Sequence, residues 1–351
     1  MPVLINQGHS KITTPFIEGD TATFTWRGRT PPRLEGDFTG WDPNQAIKLD
    51  RINAGEWNYR LSLPSDAYIE YRFSRGDKSI LDPQNPRKTT NGLGGYNNYF
   101  SMPEYKMNEL SRYDRDIPHG VITSYSLTTE DIIPSKSRVI RLYQPPTTEA
   151  VPLMVVWDGQ DNLRRLRLNN IIDKLIYQKR IRPIALAFVN NGGQRSRMIE
   201  YACSDATLFF LMIKVMPLAK REINLIDIDT FPGAYGVTGA SLGGLMALYT
   251  GIRIPHIFGK VLSQSGAFSS PDFDSVVFDI IQGRERKPVN IWMDVGVYDL
   301  AGLLESNRKM LMTLQQKGYP VTYREYNSGH SYPAWRDDIW RGLEALFGTG
   351  I

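Results

Sequence analysis

Gly239-Ala240-Ser241-Leu242-Gly243 is the stretch of this sequence best suited to covalent chemistry. The apolar run at 235–238 before it has the character of a strand, and 245–249 after it that of a helix. A serine on a sharp turn between the two carries strained backbone angles and holds its Oγ clear of the chain. The flanking glycines are needed because a Cβ would strike the neighbouring strand or helix. The helix N-terminus behind the serine favours negative charge developing nearby. A serine hydroxyl is a weak nucleophile at neutral pH, so it needs a base within hydrogen-bond reach and an acid to orient that base. The chain offers four histidines for the base: His9, His119, His256 and His330.

The elements that would position these groups alternate from about residue 119. An amphipathic strand is expected at 138–143. Continuous apolar runs at 152–157 and 184–189 fit strands covered on both faces. Further strands are expected at 260–263, 289–294 and 321–326, with helices at 171–178, 207–219 and 303–316. This pattern predicts a doubly wound α/β domain with a mostly parallel sheet, whose sites lie at the carboxyl ends of the strands. In the α/β-hydrolase fold the chain order is Ser, then Asp or Glu, then His. Only His256 and His330 follow Ser241. His256 lies in the connection to the next strand, too early for the base, and His9 and His119 come before the core of the domain. His330, between the last strand and the final amphipathic helix, is the expected base. Asp299, in the loop after the strand at 289–294, is the expected acid in preference to Asp294 or Glu305. An oxyanion hole needs two backbone N–H groups. Leu242 would give one, and Gln160, in the loop Trp157-Asp158-Gly159-Gln160-Asp161, the other.

The first hundred residues read differently. Short runs at 21–26, 33–38, 57–63 and 68–73, separated by turn residues, suggest a β-sandwich. The order Gly36-Asp37-Phe38-Thr39-Gly40-Trp41, Gly55-Glu56-Trp57, a Tyr-x-Tyr-x-Phe strand, Asp82-Pro83-x-x-Pro86 and Asn97-Asn98 resembles the immunoglobulin-like modules of carbohydrate-binding family 48. That resemblance, over about residues 15–105, implies possible glucan binding through Trp41 and Trp57, with core or interface packing as the alternative role of both. The expected division is a sandwich at 1–105, a linker at 106–118 and a catalytic domain at 119–351.

Of the 351 residues, 41% are hydrophobic and 22% charged, and 41 basic against 37 acidic residues leave a net charge of +4. No run is long enough to span a membrane, and the charge excess is too small to suggest nucleic acid. The first seven residues lack the features of a signal peptide, so a cytoplasmic location is expected. One cysteine, Cys203, excludes an internal disulfide and a cysteine-based zinc site. With four histidines, a histidine-rich metal cluster is not expected, and no cofactor is implied.

Asp158-Gly159-Gln160, the glycines from 239 to 244, Phe258-Gly259-Lys260-Val261-Leu262-Ser263-Gln264-Ser265-Gly266, Gly296-x-x-Asp299 and Gly329-His330 together resemble the esterase D-like α/β hydrolases, which include enterochelin (enterobactin) esterases and feruloyl esterases. Arg197-x-x-Glu200, Trp335-Arg336 after His330, and an immunoglobulin-like domain ahead of the hydrolase are similar to the enterochelin esterase branch. The resemblance implies a serine esterase that hydrolyses the lactone esters of a catechol siderophore. An anionic aromatic substrate would favour guanidinium and ring contacts. Arg197, Trp335 and Asp158 are the candidate contacts, with Arg195 near them. The plainer roles are an Arg197–Glu200 salt bridge and packing of Trp335 on the last helix. The rival functions are a feruloyl or acetyl esterase of acylated carbohydrates, a thioesterase or acyltransferase using the same triad, and a glucan-binding protein with a silent hydrolase domain.

Overall fold

Aromatic side chains facing inward from alternate positions of short antiparallel strands organise the N-terminal part of the chain. The computed structural model describes residues 14–92, 94–270 and 274–349; His9 and the 1–7 stretch considered as a signal peptide lie outside the described residues. One sheet runs in the order β1 (Phe16–Glu18), β2 (Thr21–Arg27), β6 (Glu56–Ser62), β5 (Asp50–Asn53). The other runs β4 (Ile47–Lys48), β3 (Arg33–Gly36), β7 (Tyr68–Arg75), β10 (Tyr96–Ser101), β9 (Lys88–Thr90), with β8 (Lys78–Ile80) on β7. Phe24 of β2 meets Tyr71 of β7 edge-on at 4.9 Å and Phe100 of β10 at 5.6 Å, which joins the two sheets. Asn98 accepts the Asp82 N–H at 2.6 Å and donates to the Asn85 carbonyl at 2.9 Å, which explains that pair of motifs as internal ties.

Trp41 donates its indole N–H to Asp37 at 2.8 Å, and the Arg72 guanidinium lies 5.4 Å from its ring centre. The Trp57 indole N–H is likewise spent on the Gly28 carbonyl, at 2.9 Å. This first unit holds residues 14–106 and also two short later stretches, Tyr298–Ala301 and Asn327–Gly329. Tyr68 N–H donates to Asn327 at 3.0 Å, Ser328 Oγ to the Tyr68 carbonyl at 2.9 Å, and Ala301 N–H to Gly40 at 3.3 Å. The Tyr298 ring packs on the sandwich core.

The second unit is built on strands that bury both faces. β11 (Val121–Thr128), β12 (Ser137–Gln144), β13 (Leu153–Trp157), β14 (Ala185–Val189), β15 (Tyr235–Ala240), β16 (Phe258–Gln264), β17 (Asn290–Gly296) and β18 (Val321–Tyr326) form one sheet in the order β11-β12-β14-β13-β15-β16-β17-β18. The β11–β12 and β12–β14 pairs are antiparallel and the other pairs parallel, so the sheet is mixed. Its helices are α1 (Gly159–Asp161), α2 (Leu168–Tyr177), α3 (Gln194–Glu200), α4 (Asp205–Phe210), α5 (Met216–Glu222), α6 (Leu242–Arg253), α7 (Val276–Gly283), α8 (Leu303–Gln316) and α9 (Tyr332–Phe347). Leu153, Val155 and Trp157 enter the core formed with α6 and α7, while Met154 and Val156 enter the core formed with α2 and α9. The same alternation in β14 and β17 gives the sheet two hydrophobic cores, one on each face.

Two elements differ from the sequence reading. The helix expected at 207–219 is α4 and α5 joined by a π-helical turn, Leu211–Val215. Pro217 lacks an N–H and its ring crowds the preceding turn, so the ladder widens there. Of residues 106–118, read as linker, 107–118 belong to the second unit: Leu110 is buried in its core, Asn170 donates to the Ser111 carbonyl at 3.0 Å, and Lys174 donates to the Glu109 carbonyl at 3.0 Å. Among the described residues no single helix is long and apolar enough to cross a membrane.

His119 completes this attachment. Its Nδ1 lies 2.8 Å from Asp173 and its Nε2 2.7 Å from the Asp114 carbonyl. With acceptors at both nitrogens the imidazolium is favoured, and the Asp173 hydrogen bond raises the His119 pKa above 6.5. A raised folded-state pKa contributes stability that is complete below the unfolded value, about 6.5, and lost as pH rises through the folded value. The thermal midpoint of wild type should therefore exceed that of His119→Gln at pH 5.5, and the gap should narrow by pH 8.5. A gap independent of pH, measured by calorimetry, would remove the charge from the explanation.

Candidate active site

The chain passes from β15 into α6 in a single residue, Ser241, at φ 60° and ψ −124°. Such angles are sparsely populated for a residue with a Cβ and survive only where surrounding bonds enforce them. Here Ser241 N–H donates to Gln264 at 2.9 Å, and its carbonyl accepts from Leu245 and Ala267, each at 3.1 Å. A Cβ on Gly239 would collide with the Gly243 carbonyl, so strand and helix approach this closely only with glycine there. Leu242 is the first residue of α6, where an N–H has no partner one turn back.

β13 lies beside β15 and parallel to it, so both strands leave the sheet at the same edge. Asp158 follows β13 with φ 55° and ψ 44°, and Gln160 sits in the turn after it. A Cβ on the intervening Gly159 would lie 2.5 Å from the Phe188 carbonyl carbon. The two residues expected to form an oxyanion hole therefore lie at the exits of adjacent strands. Asp299 comes just after β17, in the stretch that belongs to the first unit; it is 6% exposed and accepts the Leu300 N–H at 2.7 Å. His330 follows β18 and lies edge-on to Trp335, with ring centres 4.8 Å apart.

The alternative acids are differently placed. Asp294 is fully buried inside β17, where it accepts from the Trp292 indole at 2.8 Å and the Gln264 amide at 3.3 Å. Burial, with Asp338 nearby, pushes its carboxyl well above the usual carboxylate range. Glu305 is exposed in the first turn of α8.

The candidate substrate contacts have internal partners. Arg197 binds Asp158 through Nε at 2.8 Å and Nη2 at 2.7 Å, and does not pair with Glu200. Glu200 pairs instead with Arg138, both 2% exposed. Burial opposes the charge on Arg197, but the Asp158 carboxylate outweighs it and raises the guanidinium pKa. Asp158 is 2% exposed and also accepts from Asn191 Nδ2 at 2.6 Å. Trp335 is 4% exposed and donates its indole N–H to Ser265 Oγ at 3.0 Å. Arg195 is exposed.

Three contributors escape the sequence reading. Asn191 and Tyr201 bind Asp158, and their neighbourhood reads only as a Gly-rich turn and a helix end. Arg165 lies 3.8 Å from the centre of the Tyr332 ring, a contact between distant segments that no local pattern records. Among the described residues no group of three or more His, Cys, Asp or Glu is arranged to hold a metal ion.

The Esterase family model, described as Putative esterase, matches residues 133–346. The iron(III) enterobactin esterase of Dickeya dadantii is 29% identical over 210 residues, which cover 56% of this chain and only 47% of that protein's length. The ferric enterobactin esterase of Salmonella typhimurium has a similar structure, with TM-score 0.76 at 20% identity over 93% of each chain. The CE1 ferulic acid esterase of Anaeromyces mucronatus gives TM-score 0.55 at 12% identity, over 68% of this chain and 95% of that one. At such identities the structural likeness is one of fold, the α/β-hydrolase fold with an additional β-rich part. With more than half of its length matched by the family model, the chain belongs to the Esterase family.

Proposed function

We propose that the protein is a serine carboxylic-ester hydrolase that works through an acyl-enzyme, with Ser241 as nucleophile, His330 as base and Asp299 as the orienting acid. The observation that carries this reading is the strained Ser241 turn between β15 and α6. Ser241 Oγ attacks the ester carbonyl while His330 takes its proton. The carbonyl oxygen becomes an oxyanion and receives the N–H groups of Leu242 and Gln160. Collapse breaks the ester C–O bond, and His330 gives its proton to the departing alcohol. Water, losing a proton to His330, then attacks the acyl carbon; the bond to Ser241 Oγ breaks, His330 returns the proton to that oxygen, and the acyl group leaves as a carboxylic acid. Asp299 holds the His330 tautomer and stabilises the imidazolium without taking the proton.

The substrate proposed is an ester of the catechol-siderophore type, its iron being cargo. The fold likeness to the Salmonella enterobactin esterase extends over 93% of this chain, against 68% for the ferulic acid esterase. The stacking of Arg165 on Tyr332, two residues beyond His330, adds a guanidinium and a ring of the kind an anionic aromatic group favours. The ester proposed here calls on neither Trp41 nor Trp57, whose indole N–H groups donate to Asp37 and to the Gly28 carbonyl.

Product analysis should use an enterobactin-type trilactone, feruloylated and acetylated xylo-oligosaccharides, a thioester and a short p-nitrophenyl ester. Wild type is expected to prefer the trilactone, and Ser241→Ala to lose about 10⁴-fold or more in kcat while keeping its thermal midpoint. Full activity in Ser241→Ala would refute the nucleophile assignment, and preference for the sugar esters would move the substrate to acylated carbohydrate. Asp299→Asn should lower kcat by about 10⁴-fold. Asp294→Asn should act mainly on the thermal midpoint; the reverse ranking would make Asp294 the acid.

A further inference from the structure

The exits of β13 and β15 are joined by one ion pair. Arg197 Nε lies 2.8 and 3.0 Å from the two Asp158 oxygens, and its Nη2 lies 2.7 Å from Oδ2. The same Nη2 donates to the Ala240 carbonyl at 3.2 Å. Ala240 immediately precedes Ser241 and Leu242, and Asp158 immediately precedes Gly159 and Gln160. One guanidinium thus holds the two backbone segments that carry the oxyanion N–H groups.

The surroundings reinforce the link. Asn191 donates its side-chain amide to Asp158 and its backbone N–H to Gln160 Oε1, at 2.6 and 3.2 Å. The Tyr201 hydroxyl accepts the Asp158 N–H at 3.0 Å, which helps fix the left-handed turn at that residue. Gly243 of α6 stands so close that a Cβ there would lie 3.2 Å from Asp158 Oδ2. With Arg197 17% and Asp158 3% exposed at the side chain, the pair is largely closed to water.

We propose that Arg197 and Asp158 are positioning residues: the pair sets the spacing between the exits of β13 and β15, and so the aim of the Leu242 and Gln160 N–H groups. This rests on the hydrolase reading above, in which those groups receive the oxyanion. A buried ion pair adds little net stability over a well-packed apolar pair, so stability alone does not explain it. A guanidinium fork does fix angle as well as distance, because its donors are coplanar and rigid. Lysine would keep the charge at this position but could not reach carboxylate and carbonyl in one plane. Donors aimed at a developing oxyanion tolerate little misplacement, and an error of about 1 Å costs about 100-fold in rate.

The test uses Arg197→Lys and Asp158→Asn in the full chain. Turnover is measured on a neutral p-nitrophenyl ester and on an anionic catechol ester, with amide hydrogen exchange followed at 158–161 and 240–243. The expected result is a fall in kcat of about 100-fold on both esters with KM unchanged. Exchange at both exits should speed up by about tenfold or more, with the rest of the sheet as protected as in wild type. A rise in KM on the anionic ester alone, with kcat intact, would make Arg197 a substrate contact and overturn the proposal. So would unchanged exchange at either exit. If Asp158→Asn does not fold, Arg197→Lys carries the test, since it preserves the charge. If wild type cleaves no ester, the hydrolase reading fails by itself, and the exchange measurement still decides whether the pair holds the two exits together.

Discussion

The reversal of the chain within one residue at Ser241 is the constraint around which the second unit is arranged. Strand β15 must come within backbone contact of helix α6, which requires glycine at 239. The turn must then be pinned from both sides, by the Gln264 carbonyl and by the N–H groups of Leu245 and Ala267. Gln264 is itself fixed by the buried Asp294 and by the Trp335 carbonyl. The stability needed to hold that strained geometry comes from the two apolar cores, which bury both faces of the central strands.

Features set by neighbouring residues are legible in the sequence. The runs at 321–326 and 303–316 coincide with β18 and α8, because a strand's alternation and a helix's apolar stripe are written in consecutive residues. The Ser241 turn is legible for the same reason: its glycines, strand and helix lie within about twenty residues. Partner choice is not legible. Arg197 and Glu200 share one short helix, yet each pairs with a residue brought from a different strand or loop. Whether Trp335 stacks on a ligand or packs on Ser265 depends on a residue seventy positions away. The π-helical turn ahead of Pro217 is intermediate: the proline is visible, but whether the helix kinks, stops or widens is decided by packing.

The buried polar groups divide into two kinds. Asp158 and Glu200 are each paired with an arginine, which offsets part of the cost of burying a carboxylate. Asp294 lacks such a close cationic partner among its hydrogen bonds and is pushed toward its neutral form by burial. Asp294 is thus held inside the sheet by the Trp292 indole and the Gln264 amide, which Asp299, in the loop beyond β17, does not share.

The first unit is discontinuous in sequence: residues 14–106 are completed by 298–301 and 327–329. During synthesis the sandwich cannot reach its final set of contacts until residue 329 has left the ribosome, roughly two hundred residues after its own last strand. The usual order, in which an N-terminal domain finishes before the next begins, does not apply here. Most of the second unit is made while the first is still unfinished. A cut at 106/107 would therefore yield an N-terminal fragment short of its last two segments and a C-terminal fragment carrying segments that belong elsewhere, not two domains that could be moved separately into other proteins.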